Sequence, residues 1–213
     1  MASTHLALLL SLAALAGSET AAQSAFRILT CTGPFAPGAS ADTLARDFGS
    51  RSVTHGDLPF PEGETMPGTL LFAGSPRDQL EILWKDAAAR QRPESVMLRM
   101  SDVEALSRWR TNDGLTLGMD LAAVERLNGA AFRLLGFAWD YEGGVVSWNG
   151  GRLEAAPSAP CRVDVRFTLG EIGADPARQR WFKDVSGDRE FVSTHPSMQA
   201  LRPIVREVWL TYR

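Results

Sequence analysis

The densest concentration of groups able to do acid–base chemistry runs Asp184-Val185-Ser186-Gly187-Asp188-Arg189-Glu190, followed by Ser193-Thr194-His195-Pro196. Two chemistries fit these residue types. A hydrolase triad would need Asp188 to orient His195 toward Ser186 or Ser193, so that the imidazole takes the hydroxyl proton during attack. A Ca²⁺ site would draw on the carboxylates of Asp184, Asp188 and Glu190, hard oxygen ligands for a hard cation. Neither brings its usual surroundings. The chain contains no G-x-S-x-G, H-E-x-x-H, C-x-x-C, P-loop or G-x-G-x-x-G. His55 is the one further histidine outside the amino-terminal segment, so the supply of N and S ligands is too thin for structural zinc. Asp and Ser in such a stretch also hydrogen-bond their own backbone in turns, and that reading prevails. No catalytic residue, metal ligand or cofactor is assigned. A hydrolase of envelope material working through Ser186, Asp188 and His195 stands as the alternative.

The aromatic residues point to a different activity. There are six tryptophans, at 84, 109, 139, 148, 181 and 209. Trp and Tyr are enriched where an interface has one apolar and one wet side. Trp139, Tyr141 and Trp148 fall on one expected hairpin, and the odd–odd spacing of Trp139 and Tyr141 places them on one face of a strand. They are the expected anchors of a platform for a protein loop or a glycan, with Arg152 at its rim. Packing beneath a helix is the competing reading, since Trp is usually well buried.

The elements that must carry these residues read as α+β. Ala25–Cys31 is a short strand, and a helix over Ser40–Gly49 has Ser40 as N-cap, Leu44 and Phe48 on one face, and Gly49 as C-cap. His55 to Gly68, rich in Pro and Gly, reads as a polar loop. Strands follow at Gly68–Phe72, Leu80–Trp84 and Ser95–Met100. The order then recurs: a helix over Asp120–Leu127 closed by Asn128-Gly129, a strand over Phe132–Tyr141, a turn at Glu142-Gly143-Gly144, a return over Val145–Trp148, and an alternating strand over Arg162–Leu169. Setting Leu44…Phe48-Gly49 beside Val124…Asn128-Gly129 predicts tandem repeats, each a helix followed by an antiparallel meander. The expected divisions are 23–110, 111–172, and a carboxy-terminal extension, 173–213. In the extension, 203–212 is a final strand with Val208, Leu210 and Tyr212 on one face and Glu207, Trp209 and Thr211 on the other.

The amino terminus predicts export. From Leu6 to Ala16 every residue but Ser11 is apolar, the length of a signal-peptide h-region and too short to span a bilayer. Cleavage is expected between Ala22 and Gln23. Cys31 is not a lipidation site, because Thr30 stands where a small residue belongs and Arg27 separates the cysteine from the apolar run. In an oxidising compartment Cys31 and Cys161, the two cysteines of the chain, are expected to pair; two buried free thiols are the other possibility. At 45% hydrophobic, 22% charged and net charge −3, the composition gives no basic excess for nucleic acid and no second apolar run for a membrane.

Leu115-Thr116-Leu117-Gly118-Met119-Asp120, then Val124-Glu125-Arg126-Leu127-Asn128-Gly129, with the aromatic pair of Trp139-Asp140-Tyr141, resembles a pattern in small exported bacterial domains. These are the SmpA/OmlA outer-membrane assembly lipoproteins and the tandem-repeat β-lactamase inhibitor proteins. The likeness covers about thirty residues of the second half. Asn128 intrudes before Gly129 and Asp120 stands where Thr is common. The resemblance implies a helix-plus-curved-sheet fold used to bind another protein in the periplasm or outside the cell, and it transfers no individual binding residue.

Overall fold

The computed structural model describes residues 26–60, 63–101 and 107–213. The expected signal peptide therefore lies outside the described residues. The architecture is α+β, with a twisted six-stranded antiparallel sheet at its centre. In sequence order its strands are β2 (Val53–Pro59), β3 (Thr65–Leu71), β4 (Leu80–Asp86), β5 (Gln91–Arg99), β9 (Cys161–Thr168) and β11 (Ile204–Tyr212), arranged β2-β3-β4-β5-β11-β9. Two smaller sheets flank it. β1 (Arg27–Leu29) pairs in parallel with β6 (Trp109–Thr111), and β7 (Arg133–Leu135) lies between β8 (Val145–Ser147) and β10 (Glu190–Val192).

Local chemistry explains the helices. α1 (Ala41–Phe48) begins with a reciprocal cap, the Ser40 hydroxyl accepting from the Thr43 N–H and Thr43 Oγ1 from the Ser40 N–H. α2 (Leu121–Asn128) is capped by Asp120 and ends at Gly129 in the left-handed conformation. α3 (Pro176–Asp184) and α4 (Pro196–Leu201) each start with Pro in the first turn, where a missing N–H costs nothing.

One face of the large sheet and the helices share a core. Leu80, Ile82 and Trp84 of β4, Val96 and Leu98 of β5, and Val208, Leu210 and Tyr212 of β11 are buried with Leu44 of α1, Leu121 and Val124 of α2, and Met198 and Leu201 of α4. The alternation read from 203–212 is thus realised. The Cys31–Cys161 disulfide ties the end of β1 to the start of β9. Closing a loop of 130 residues, it removes unfolded-chain entropy worth about 5 kcal/mol in the simplest account.

Three expectations need correction. The Pro- and Gly-rich stretch from His55 to Gly68 is a hairpin arm rather than a loop, with every residue from 53 to 59 in register against 71 to 65. Most of its side chains are exposed on both faces, so the polarity alternation that signals a strand is missing while the backbone ladder is intact. The strand expected over Phe132–Tyr141 stops at Leu135. A Cβ at Gly136 would overlap the carbonyls of Gly187 and Val185, and Phe137 N–H donates to Val185 O, so distant backbone captures the chain there. The polar stretch read as turn-forming, from Asp184 to His195, contains the short strand β10, and α4 follows it.

Candidate functional site

The outer face of the large sheet, opposite the core, presents a ladder of charges set among apolar side chains. Register places Glu81 beside Met97, Met97 beside Trp209 and Trp209 beside Asp164; Arg99 faces Glu207, which faces Arg166. Met97 is fully buried although no helix lies over it. Leu58 and Phe60, carried by the hairpin arm, pack with Leu70, Leu83 and Trp209 around it. The arm therefore folds over half of the outer face, and the Arg99 guanidinium fastens it by donating to Pro59 O at 2.9 Å. That guanidinium also lies 4.9 Å from the Phe60 ring and 5.4 Å from the Trp209 ring, a cation between two aromatic faces.

The other half of the face is uncovered by the arm and ends at the turn carrying Trp139 and Tyr141. Between arm and turn lies a cleft of about 430 Å³, with Phe60 and Trp139 on its walls and Arg99, Arg166, Glu207 and Trp209 among its lining. A second depression of about 400 Å³ shares Arg166, Glu207 and Trp209 and reaches Tyr141. Trp139 and Tyr141 meet edge to face at 5.5 Å. Trp139 donates Nε1–H to Gly136 O at 3.1 Å, which fixes the indole, while Tyr141 is 62% exposed. Trp209 donates Nε1–H to Glu207 Oε2 at 3.1 Å. Aromatic rings are thus held rigid around paired charges, the arrangement that loses least side-chain entropy when a partner docks.

Burial acts on one charge of this face. Desolvation raises the pKa of the Glu81 carboxyl; Arg99, whose Nη1 lies 3.4 Å away, pulls it down, and Glu207 adds to the rise.

The expected anchors divide. Trp139 and Tyr141 stand together at the cleft, on a turn and not on a strand. Trp148 does not join them. It is 6% exposed, in the core just after β8, 5.1 Å from the Phe132 ring, and its carbonyl accepts from Asn128 Nδ2 at the end of α2. Arg152 is engaged elsewhere as well, donating from Nε to Leu127 O at 3.0 Å and so capping the carboxy terminus of α2. Trp209 takes the place in the cluster that Trp148 was expected to fill. The alternation of β11 had already put Trp209 on the face away from the core, so that signal was in the sequence. Phe60 and Arg99 carried none, since their meeting depends on the arm folding over.

The polar loop does not assemble a triad. Ser186 donates to Phe182 O at 2.6 Å, and Ser193 is buried, donating to Glu125 of α2 and accepting from Phe132 N–H. His195 approaches Asp184, not Asp188, with Nε2 3.8 Å from Oδ2, and Asp184 already accepts from Ser197 Oγ at 2.6 Å. His195 Nδ1 accepts from the Ser197 N–H as the N-cap of α4. The candidate calcium ligands also part: Glu190 pairs with Arg133 at 2.9 Å, and among the described residues no group of three His, Cys, Asp or Glu side chains could hold a metal ion.

Fold and cleft together define an α+β protein whose antiparallel sheet has helices on one face and an aromatic, charge-lined cleft on the other. No family model, curated protein or solved structure matches the chain. No helix among the described residues is long and apolar enough to cross a membrane.

Proposed function

We propose that this chain is an exported, non-enzymatic module of the bacterial envelope, inhibitor-like or assembly-like, that binds another protein through the outer face of its sheet. The observation carrying this reading is the cluster of Trp139, Tyr141 and Trp209 around the cleft, with Arg99, Arg166 and Glu207 in the same lining. Trp, Tyr and Arg are the residue types that dominate interface energetics. Export to the periplasm or beyond is supported by the apolar run of residues 6–16 and by the disulfide. The two halves, each with an eight-residue helix closed by glycine, read as degenerate repeats.

A photo-crosslinking amino acid at position 141, compared with one at Arg46 on α1, tests the reading in intact cells. The expected result is one discrete adduct from position 141, absent from position 46 and lost when Trp209→Ala is added, with the adduct's protein then binding the purified chain directly. Equal adducts at both positions, or none at 141, would overturn it.

A further inference from the structure

Among the described residues, β2 has a strand partner on one side only. Its ladder with β3 identifies which backbone groups are left over. Phe72 N–H donates to Ser52 O and Phe60 N–H donates to Glu64 O, and both pairs belong to the register that joins Thr54 to Leu70 and Gly56 to Gly68. Hydrogen-bonded pairs recur every second residue along an antiparallel ladder. Thr54, Gly56 and Leu58 therefore direct their backbone groups to β3. His55, Asp57 and Pro59 direct theirs to the open edge, while the Val53 N–H already donates to Ser50 O.

We propose that this edge is the site of self-association, with β2 of a second copy pairing antiparallel about a two-fold axis at Gly56. Three symmetric registers were compared. An axis at His55 sets His55 against its own copy. An axis at Asp57 sets two carboxylates side by side, which is destabilising for directly opposed residues. The axis at Gly56 sets His55 opposite Asp57 of the second copy at both ends of the contact. About four ladder hydrogen bonds form there, two in each His55–Asp57 pair, since the Pro59 nitrogen has no proton to give and the Val53 N–H is taken by Ser50 O. Gly56 itself brings no side chain to the axis.

The imidazole is prepared for that partner. Thr69 Oγ1 accepts from Trp84 Nε1–H at 2.9 Å and lies 3.1 Å from His55 Nδ1. Its own proton is thus free to be donated to Nδ1, which leaves Nε2 as a hydrogen-bond donor toward a carboxylate. Desolvation, with Arg90 adding to it against the pull of Asp42, lowers the pKa of His55 and favours this neutral form. Edge strands are normally blunted against pairing by charge or proline. Here the two polar residues on the edge complement each other across a two-fold axis.

Sedimentation analysis of the full mature chain over a range of concentrations tests the proposal. The wild type is expected to dimerise reversibly. His55→Asp, which opposes two carboxylates twice over, should weaken the dimer about tenfold, and the H55D/D57H double variant should restore it. Asp57→Pro removes an edge N–H that β3 does not use and should weaken the dimer with unchanged circular dichroism. A wild type monomeric at every concentration, a dimer indifferent to H55D and D57P, or a double variant that stays monomeric would each overturn the proposal.

Discussion

The side chain of Asn128 occupies the space that a Cβ on Gly151 would need. Asn128 is buried at the end of α2, donating from Nδ2 to the carbonyls of Ala130 and Trp148 at 2.8 and 2.9 Å and accepting from Leu153 N–H at 3.1 Å. One amide thus pins the loop after β8 to the end of the helix. The residue just before the left-handed Gly129 is the one that holds this corner.

Removing that amide should be costly. Asn128→Ala takes their amide partner from Leu153 N–H and Ala130 O, while Trp148 O keeps Gly151 N–H, and is expected to lower the unfolding free energy by about 2 kcal/mol. Gly151→Ala forces a methyl into the amide and should cost about 2 kcal/mol. The double variant should cost less than the sum, because deleting the amide opens the space. Denaturant unfolding of all three variants measures this. Strict additivity would show that the two residues do not compete for space.

Asp78 makes a pH-dependent contribution. Its carboxylate is buried, which alone would raise its pKa. Hydrogen bonds from Arg108 (2.7 Å from Nε) and Ser75 (2.8 Å), with the charges of Arg108 and Arg27, outweigh this and lower it. A carboxyl with a depressed folded-state pKa stabilises the fold above its unfolded value of 3.8. The contribution disappears as the pH falls through the folded value. Asp78→Asn should therefore cost about 3 kcal/mol near neutrality and far less in strong acid. Urea titrations at the two pH values give the comparison, and an equal loss at both would contradict it.

Glu81 behaves with the opposite sign. Its pKa is raised by desolvation, so the folded state prefers the protonated acid. Its stabilising share is present below the ordinary value of 4.5 and is lost as the pH rises through the folded value. Glu81→Gln keeps the shape and removes the ionisation. It should raise the melting temperature near neutral pH and leave it unchanged near pH 4. A melting temperature lowered at neutral pH would mean that the ion pair with Arg99 outweighs the burial penalty.

The outer and inner faces of β11 were legible because Val208, Leu210 and Tyr212 alternate with Glu207, Trp209 and Thr211, and nothing distant disturbs that pattern. Helices α1 and α2 were legible from their ends, where Ser40, Gly49 and Gly129 act within a few residues. The hairpin arm was not, because most of its side chains apart from Leu58 face water on both sides and the ladder that holds it leaves no trace in polarity. Nor was the turn bearing Trp139 and Tyr141. Gly136 meets Gly187 there, some fifty residues away, and only the folded chain brings them together. The cleft inherits both blind spots, since its two walls are that arm and that turn.

The place of β11 in the sheet governs when the sheet can exist. The strand of residues 204–212 lies between β5 and β9 and, among the described residues, joins them in the sheet. Its Tyr212 hydroxyl reaches back to the carbonyl of Phe35, far earlier in the chain. Until these residues join, β2 to β5 form a four-stranded fragment and β9 is held by its bridge to the turn at Gly143-Gly144, with the buried faces of both open to water. The six-stranded sheet closes only when residues 204–212 take their place between β5 and β9.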